Sequence, residues 1–288
     1  MLRAELGLAA AALLAAAAPA PAAPLPPEDA ERNRPAPPVR IADNLYHVGT
    51  RDIAVYLFVD PKGLILLDAG YEQSVPLVLA NIRALGFDPR RIRILIASQA
   101  HFDHVAGLAA MKAATGAKVY ASAADSVLLA RGGRGDFAFG DRFRFPAVKA
   151  DHILRDGEVV RLGGLRLTAH ITPGHTRGCT SWTVAARDAG RIEPALFICG
   201  ATAPGYRLVG NRAYPDIMAD FARSFATWRR LPCRIFLGAH GGYFGLETKR
   251  AAMGAGGPNP FVDPEGCKGF LDRAEAAVKA QAARQAAE

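Results

Sequence analysis

The stretch QAHFDHVAG, Gln99 to Gly107, sets Gln99, His101, Asp103 and His104 close together. Imidazole nitrogen and carboxylate oxygen are donors that borderline-soft zinc accepts. Alternation along an extended loop points Gln99, His101 and Asp103 one way, and His104 follows at the start of a helical run. One short loop can therefore feed two adjacent metal positions. Two further segments have the same character: TPGHTRGC puts His175 in a Gly-rich turn after an apolar run, and FLGAHGGYF puts His240 straight after another. The glycines permit a tight backbone at both places. A solitary histidine is most often structural; four at the ends of apolar runs, with Gln99 and Asp103 of one loop beside them, form a candidate ligand set. His47, His152 and His170 lack such company and read as ordinary residues.

The elements that must position these groups follow from the hydrophobic pattern. LYHVGT (Leu45 to Thr50), IAVYLFVD (Ile53 to Asp60) and LILLDAG (Leu64 to Gly70) predict successive strands, with Lys62-Gly63 as a turn. Val75 to Leu85 has apolar residues at helical spacing and stops at Gly86, while Arg91 to Ser98 is a continuous apolar run suited to a buried strand. Ser122 with Asp125 predicts a capping box that opens a helix through Leu129. In the second half, Val160 to Thr172, Ser181 to Ala186, Ala195 to Gly200 and Arg234 to His240 predict strands; Pro215 to Arg230 and Pro264 to Ala286 predict amphipathic helices. Strands followed by helices, twice over, imply two sheets packed face to face with helices outside: an α/β chain with an αββα sandwich as a single domain over 39–288.

The whole chain is consistent with this. It has 288 residues, 50% hydrophobic and 22% charged, enough for one sizeable core. The net charge of +8 is scattered singly or in pairs, so it predicts a solvated basic surface and no nucleic-acid partner. Arg3, the Ala/Leu run from Leu6 to Ala18 and the following PAPAAP read as a secretory signal peptide over 1–23, too short and Ala-rich for a membrane anchor. Pro24 to Pro38 reads as an extended Pro-rich linker. Export would place the four cysteines in an oxidising compartment. A bridge between Cys233 and Cys267 would stabilise by about 3–4 kcal/mol. Cys179 and Cys199 sit in strand-like runs and read as buried thiols. Four cysteines allow three connectivities, and the sequence alone leaves the pairing open.

From Ile41 to the C-terminus the chain resembles the metallo-β-lactamase superfamily, whose signature is H-x-H-x-D-H with two later histidines. It is similar in particular to the third, B3-type, subclass through TPGHTRGCTSW, APGYRLVGN, Tyr214-Pro215 with SFATWRRLPC, FLGAHGGYF and PNPFVDPEGC. The resemblance implies a periplasmic enzyme that hydrolyses the β-lactam amide bond with a zinc-bound hydroxide, zinc lowering the pKa of its water to about 7. It implies a first zinc on Gln99, His101 and His175, a second on Asp103, His104 and His240, and a Cys233–Cys267 disulfide. Asp103 would also orient the attacking water. Gln99 departs from the family's histidine; an amide oxygen is a weaker donor, so the first site should hold metal less tightly, and one or two zinc ions are expected. A Gln-type branch of the subclass exists. Thr202 would help bind the substrate carboxylate, Gly200 standing where a serine is often found. Asp68 is expected to support the ligands from behind, Cys199 to be a structural thiol rather than a ligand, and Trp182 and Phe102 to be packing residues. Relatives that cleave lactones or thioesters usually carry a metal-bridging acid after the strand matching Ala195 to Cys199, and none stands at Cys199 to Thr202. A non-catalytic periplasmic metal-binding protein is the other alternative, which Gln99 keeps open and the five remaining ligand positions weaken.

Overall fold

The computed structural model describes residues 24–253 and 257–288; the expected signal peptide lies outside the described residues. Among these, a seven-stranded sheet runs in chain order β1 (Val39–Ala42), β2 (Leu45–His47), β3 (Tyr56–Asp60), β4 (Gly63–Leu67), β5 (Ile92–Ile96), β6 (Lys118–Ser122) and β7 (His152–Leu154). The first four pair antiparallel and the rest parallel. A five-stranded sheet is formed by β8 (Val159–Leu162), β9 (Leu165–Ile171), β10 (Thr180–Asp188), β11 (Arg191–Ile198) and β12 (Ile235–Gly238), with β12 parallel to β11 at one edge.

The strands of the first sheet are apolar on both faces because both faces are covered. Ile65 and Leu67 of β4 pack with Leu167, Trp182 and Phe197 of the other sheet, forming the core between the layers. Their neighbours Leu64 and Leu66 turn the opposite way and meet the outer helices. Those helices are α2 (Val75–Ala84), α4 (Leu108–Thr115) and α5 (Ala123–Ala130), preceded at α4 by the single turn α3 (Phe102–Val105). On the far side, α6 (Ile217–Trp228) and α9 (Pro264–Ala286) bury Phe221, Phe225, Phe270 and Leu271 against the second sheet. Two short helices, α7 (Gly241–Phe244) and α8 (Leu246–Ala252), follow β12. The result is the αββα sandwich.

Three expectations need adjustment. The region read as an extended linker carries α1 (Pro27–Arg32), whose buried Asp29 accepts a hydrogen bond from the Tyr71 hydroxyl at 2.8 Å. Cys179 and Cys199, read as free buried thiols, are bonded to each other, as are Cys233 and Cys267. The reason is hairpin geometry: the β10–β11 pairing that sets Trp182 opposite Phe197, continued past the strand ends, brings the two cysteines alongside, with Cα atoms 5.8 Å apart. The capping box forms only in part: Ser122 Oγ accepts from the Asp125 backbone N–H, but the Asp125 carboxylate is used elsewhere.

Candidate metal centre

Each candidate ligand leaves the end of a buried strand. After β5 the chain passes through Gln99 and His101 into α3, which carries Asp103 and His104. After β9 a tight turn presents His175; its Gly174 has φ +134°, and a Cβ there would lie 2.8 Å from the Phe221 ring. After β11 come Gly200 and Thr202, and after β12 comes His240. A pocket of about 500 Å³ opens at this rim, lined by His101, Asp103, His175, His240, Thr202 and Tyr243, with Phe102, Phe139, Phe143, Arg32 and Arg142 around its mouth.

Two groups form. His101 Nδ1 lies 3.1 Å from His175 Nε2. Asp103 Oδ2 lies 3.4 Å from His104 Nε2 and 3.7 Å from His240 Nε2, a cluster compact enough to hold a metal ion. Gln99 is buried beside them; its amide nitrogen donates to the Cys199 carbonyl at 3.4 Å, and its Oε1 has no hydrogen-bond partner. The alternation expected for the loop is not what sorts the ligands: Asp103 joins His104 and His240 rather than His101, because α3 begins at Phe102 and rotates it away.

The outward nitrogen of each of these four histidines faces an acceptor. His175 Nδ1 donates to the Thr202 carbonyl at 2.7 Å, and His240 Nδ1 lies 2.9 Å from Asp52 Oδ2. His104 Nδ1 is 3.7 Å from Asp68 Oδ2, and His101 Nε2 is 3.5 Å from Asp136 Oδ2. A proton placed on each outward nitrogen leaves every inward nitrogen with a lone pair. Two such lone pairs 3.1 Å apart, His101 against His175, repel unless a cation takes both. Buried His104 Nε2 and Gln99 Oε1 likewise have no hydrogen-bond partner. The nitrogen and oxygen donors fit zinc.

The electrostatics agree. Burial opposes ionisation of Asp103, but the neighbouring His104 and His240 imidazoles outweigh it and hold the carboxyl well below the usual range. Burial, reinforced by His101, lowers His175 to about 3, which keeps its imidazole neutral. Burial raises Asp68 to about 6 against the pull of His104 and the Ser98 hydrogen bonds. Asp68 has φ +64°, an uncommon backbone state for a non-glycine residue, and its carboxylate takes both the backbone N–H and the hydroxyl of Ser98.

Asp125 ties the two ligand loops together. Its carboxylate accepts from the Ala100 N–H (2.9 Å), the Thr176 hydroxyl (2.8 Å) and the Gly178 N–H (2.9 Å). Asp52, Asp125, Asp136 and Tyr243 are the site residues that sequence reasoning missed. Only Asp125 leaves a signal there, a Ser122-x-x-Asp125 spacing that reads as a helix cap. His47, His152 and His170 do not line the pocket; His152 pairs with Glu158 and His170 with the Thr183 hydroxyl.

Comparison with known proteins is consistent with this geometry. Residues 48–189 match the family described as the Metallo-beta-lactamase superfamily. The chain is similar to the solved structure of the native FEZ-1 metallo-beta-lactamase from Legionella gormanii: 42% identity over 89% of this chain and 99% of that one, with a TM-score of 0.87. It is 38% identical to a Cronobacter sakazakii metallo-beta-lactamase with a HARLDQ motif (93% of this chain, 97% of that one, TM-score 0.88). It is 37% identical to BJP-1, a subclass B3 metallo-beta-lactamase of Bradyrhizobium japonicum (88% and 97%, TM-score 0.83). Among curated proteins, a probable metallo-hydrolase of Burkholderia pseudomallei is 30% identical over 45% of this chain, and a hydroxyacylglutathione hydrolase of Methylobacterium nodulans 35% identical over 35% of it. The chain spans only 43% and 33% of the lengths of those two relatives.

Proposed function

Because the chain belongs to the metallo-beta-lactamase superfamily, within its B3 subclass, we propose that it is an exported zinc hydrolase that opens the β-lactam amide bond. The observation that carries this reading is the pair of candidate ligand groups at one pocket rim, His101 with His175 and Asp103 with His104 and His240, with His175 and His240 hydrogen-bonded from behind and His101 and His104 facing carboxylates at 3.5 and 3.7 Å. Bound zinc would supply a Lewis acid and a water acidified to near neutrality.

The chain's own groups divide the remaining work. Asp103, ionised, holds one cluster and offers an oxygen to orient the attacking water. Asp52, Asp68, Asp136 and the Thr202 carbonyl keep the imidazoles in one tautomer and orientation. Thr202 donates its hydroxyl to the substrate carboxylate. Gln99 completes the first group with an amide oxygen, which sets a weaker first zinc against a firmer second one. Residues 1–23 act as the secretory signal, and two disulfides suit the periplasm. Among the described residues no helix is long and apolar enough to cross a membrane.

The likeness to a hydroxyacylglutathione hydrolase makes thioesters the competing substrate class; Cys199 to Thr202 carries no acid to bridge two metals, which favours the lactam. Purified protein should hydrolyse nitrocefin faster than lactone or thioester substrates, lose turnover in EDTA and regain it with zinc. No nitrocefin turnover with a full complement of zinc would overturn the proposal.

A further inference from the structure

Thr202 sets one hydroxyl at the pocket, and Gly200, two positions before it, offers no second one. A Cβ at Gly200 would lie 2.5 Å from Cγ of the His175 ring, so no side chain fits there without displacing a ligand. The donor comes from another element. Tyr243, on α7 three positions after His240, lines the pocket and places its hydroxyl 3.2 Å from Thr202 Oγ1.

We propose that the Tyr243 hydroxyl, side by side with that of Thr202, binds the carboxylate of the substrate. The inference rests on the β-lactam reading above and deepens it. Two hydroxyls bonded to each other share one proton between them, and the second O–H is free to point at a ligand. An arriving carboxylate accepts from both, since each of its oxygens has lone pairs to spare and charge-assisted hydrogen bonds are the stronger ones. Among the described residues Thr202 is the hydrogen-bond partner of Tyr243, so nothing else competes for its proton.

The ring is also held still, as a binding group must be. Gly238 leaves room for it: a Cβ at that position would lie 2.9 Å from Tyr243 Cβ and Cδ2. Phe270 of α9 packs on it at 4.8 Å between ring centroids, and His240 at 5.2 Å. Arg32 and Arg142 line the same pocket and favour an anion. Four acids line it as well: Asp29 is engaged with the Tyr71 hydroxyl, Asp52 with His240 and Asp103 with His104, and Glu28 is the fourth.

The test is Tyr243→Phe, which deletes one oxygen and keeps the packing ring. For nitrocefin, which carries the carboxylate, KM should rise about tenfold with a smaller change in kcat and unchanged zinc content. For the methyl ester of the same cephalosporin the ratio of variant to parent KM should fall close to one. Nitrocefin turnover by the parent with a variant KM within twofold of it overturns this inference alone. A tenfold rise that is equal for acid and ester overturns it too, because the hydroxyl would then serve packing. Absence of turnover in the parent removes the β-lactam reading, and this one with it.

Discussion

At the scale of single residues, the site is built from an asymmetry between its two ligand groups. The second offers two imidazoles and an ionised carboxylate; the first offers two imidazoles and the neutral amide of Gln99. A neutral carbonyl oxygen donates less charge than imidazole to zinc, so the first position should empty first when metal is scarce. Gln99→His should raise zinc stoichiometry after dialysis toward two per chain, measured by elemental analysis; an unchanged ratio would show that Gln99 does not limit occupancy. The candidate donors were legible from the sequence, because imidazoles clustered at the ends of apolar runs are chemically conspicuous. The groups behind them were not. Asp52 meets His240 across 188 positions of chain, and Asp136 reaches His101 from a Gly- and Phe-rich loop whose pattern encodes no partner. Those contacts exist only once the sandwich has closed.

At the scale of elements, strand ends do the positioning, and loops must be tied to one another for the positions to hold. Asp125 is the tie. It stands in the first turn of α5, yet its oxygens serve the loop after β5 and the turn after β9, the two segments that carry His101 and His175. Burial pushes its carboxyl up to about 6 even though the Thr176 hydroxyl and two backbone N–H groups favour the charge. Asp125→Ala would strand the Ala100 and Gly178 N–H groups in a dry interior, costing about 3 kcal/mol. Urea unfolding should show that loss, and metal analysis should show zinc released from the first position before the second. Retention of both metals with an unshifted midpoint would mean the loops hold without the tie. The Ser122-x-x-Asp125 spacing was visible in the sequence as a reciprocal cap; the buried brace was not, because it exists only once the 175–178 turn folds against Asp125. The αββα order, by contrast, followed from alternation and run length alone, since β4 and β5 had to be covered on both faces.

At the scale of the molecule, two disulfides close loops of similar size in different places. Cys179–Cys199 spans 20 positions beside the pocket, next to the Cys199 carbonyl that receives the Gln99 amide. Cys233–Cys267 spans 34 positions and pins α9 to the edge next to β12, away from the ligands. Loop-closure entropy grows only with the logarithm of length, so each should stabilise by about 3–4 kcal/mol and the difference between them is a few tenths. Stability therefore cannot tell their roles apart, but metal retention can. The double variant Cys233→Ala with Cys267→Ala should unfold at lower urea and keep both zinc ions under native conditions. Cys179→Ala with Cys199→Ala should lose comparable stability and also bind the first zinc more weakly, because the backbone from Cys199 to Thr202 holds Gln99 at one end and the His175 ring at the other. Competition with a chromophoric chelator separates the two cases. Equal zinc affinity in both variants would assign the two bridges the same purely structural part.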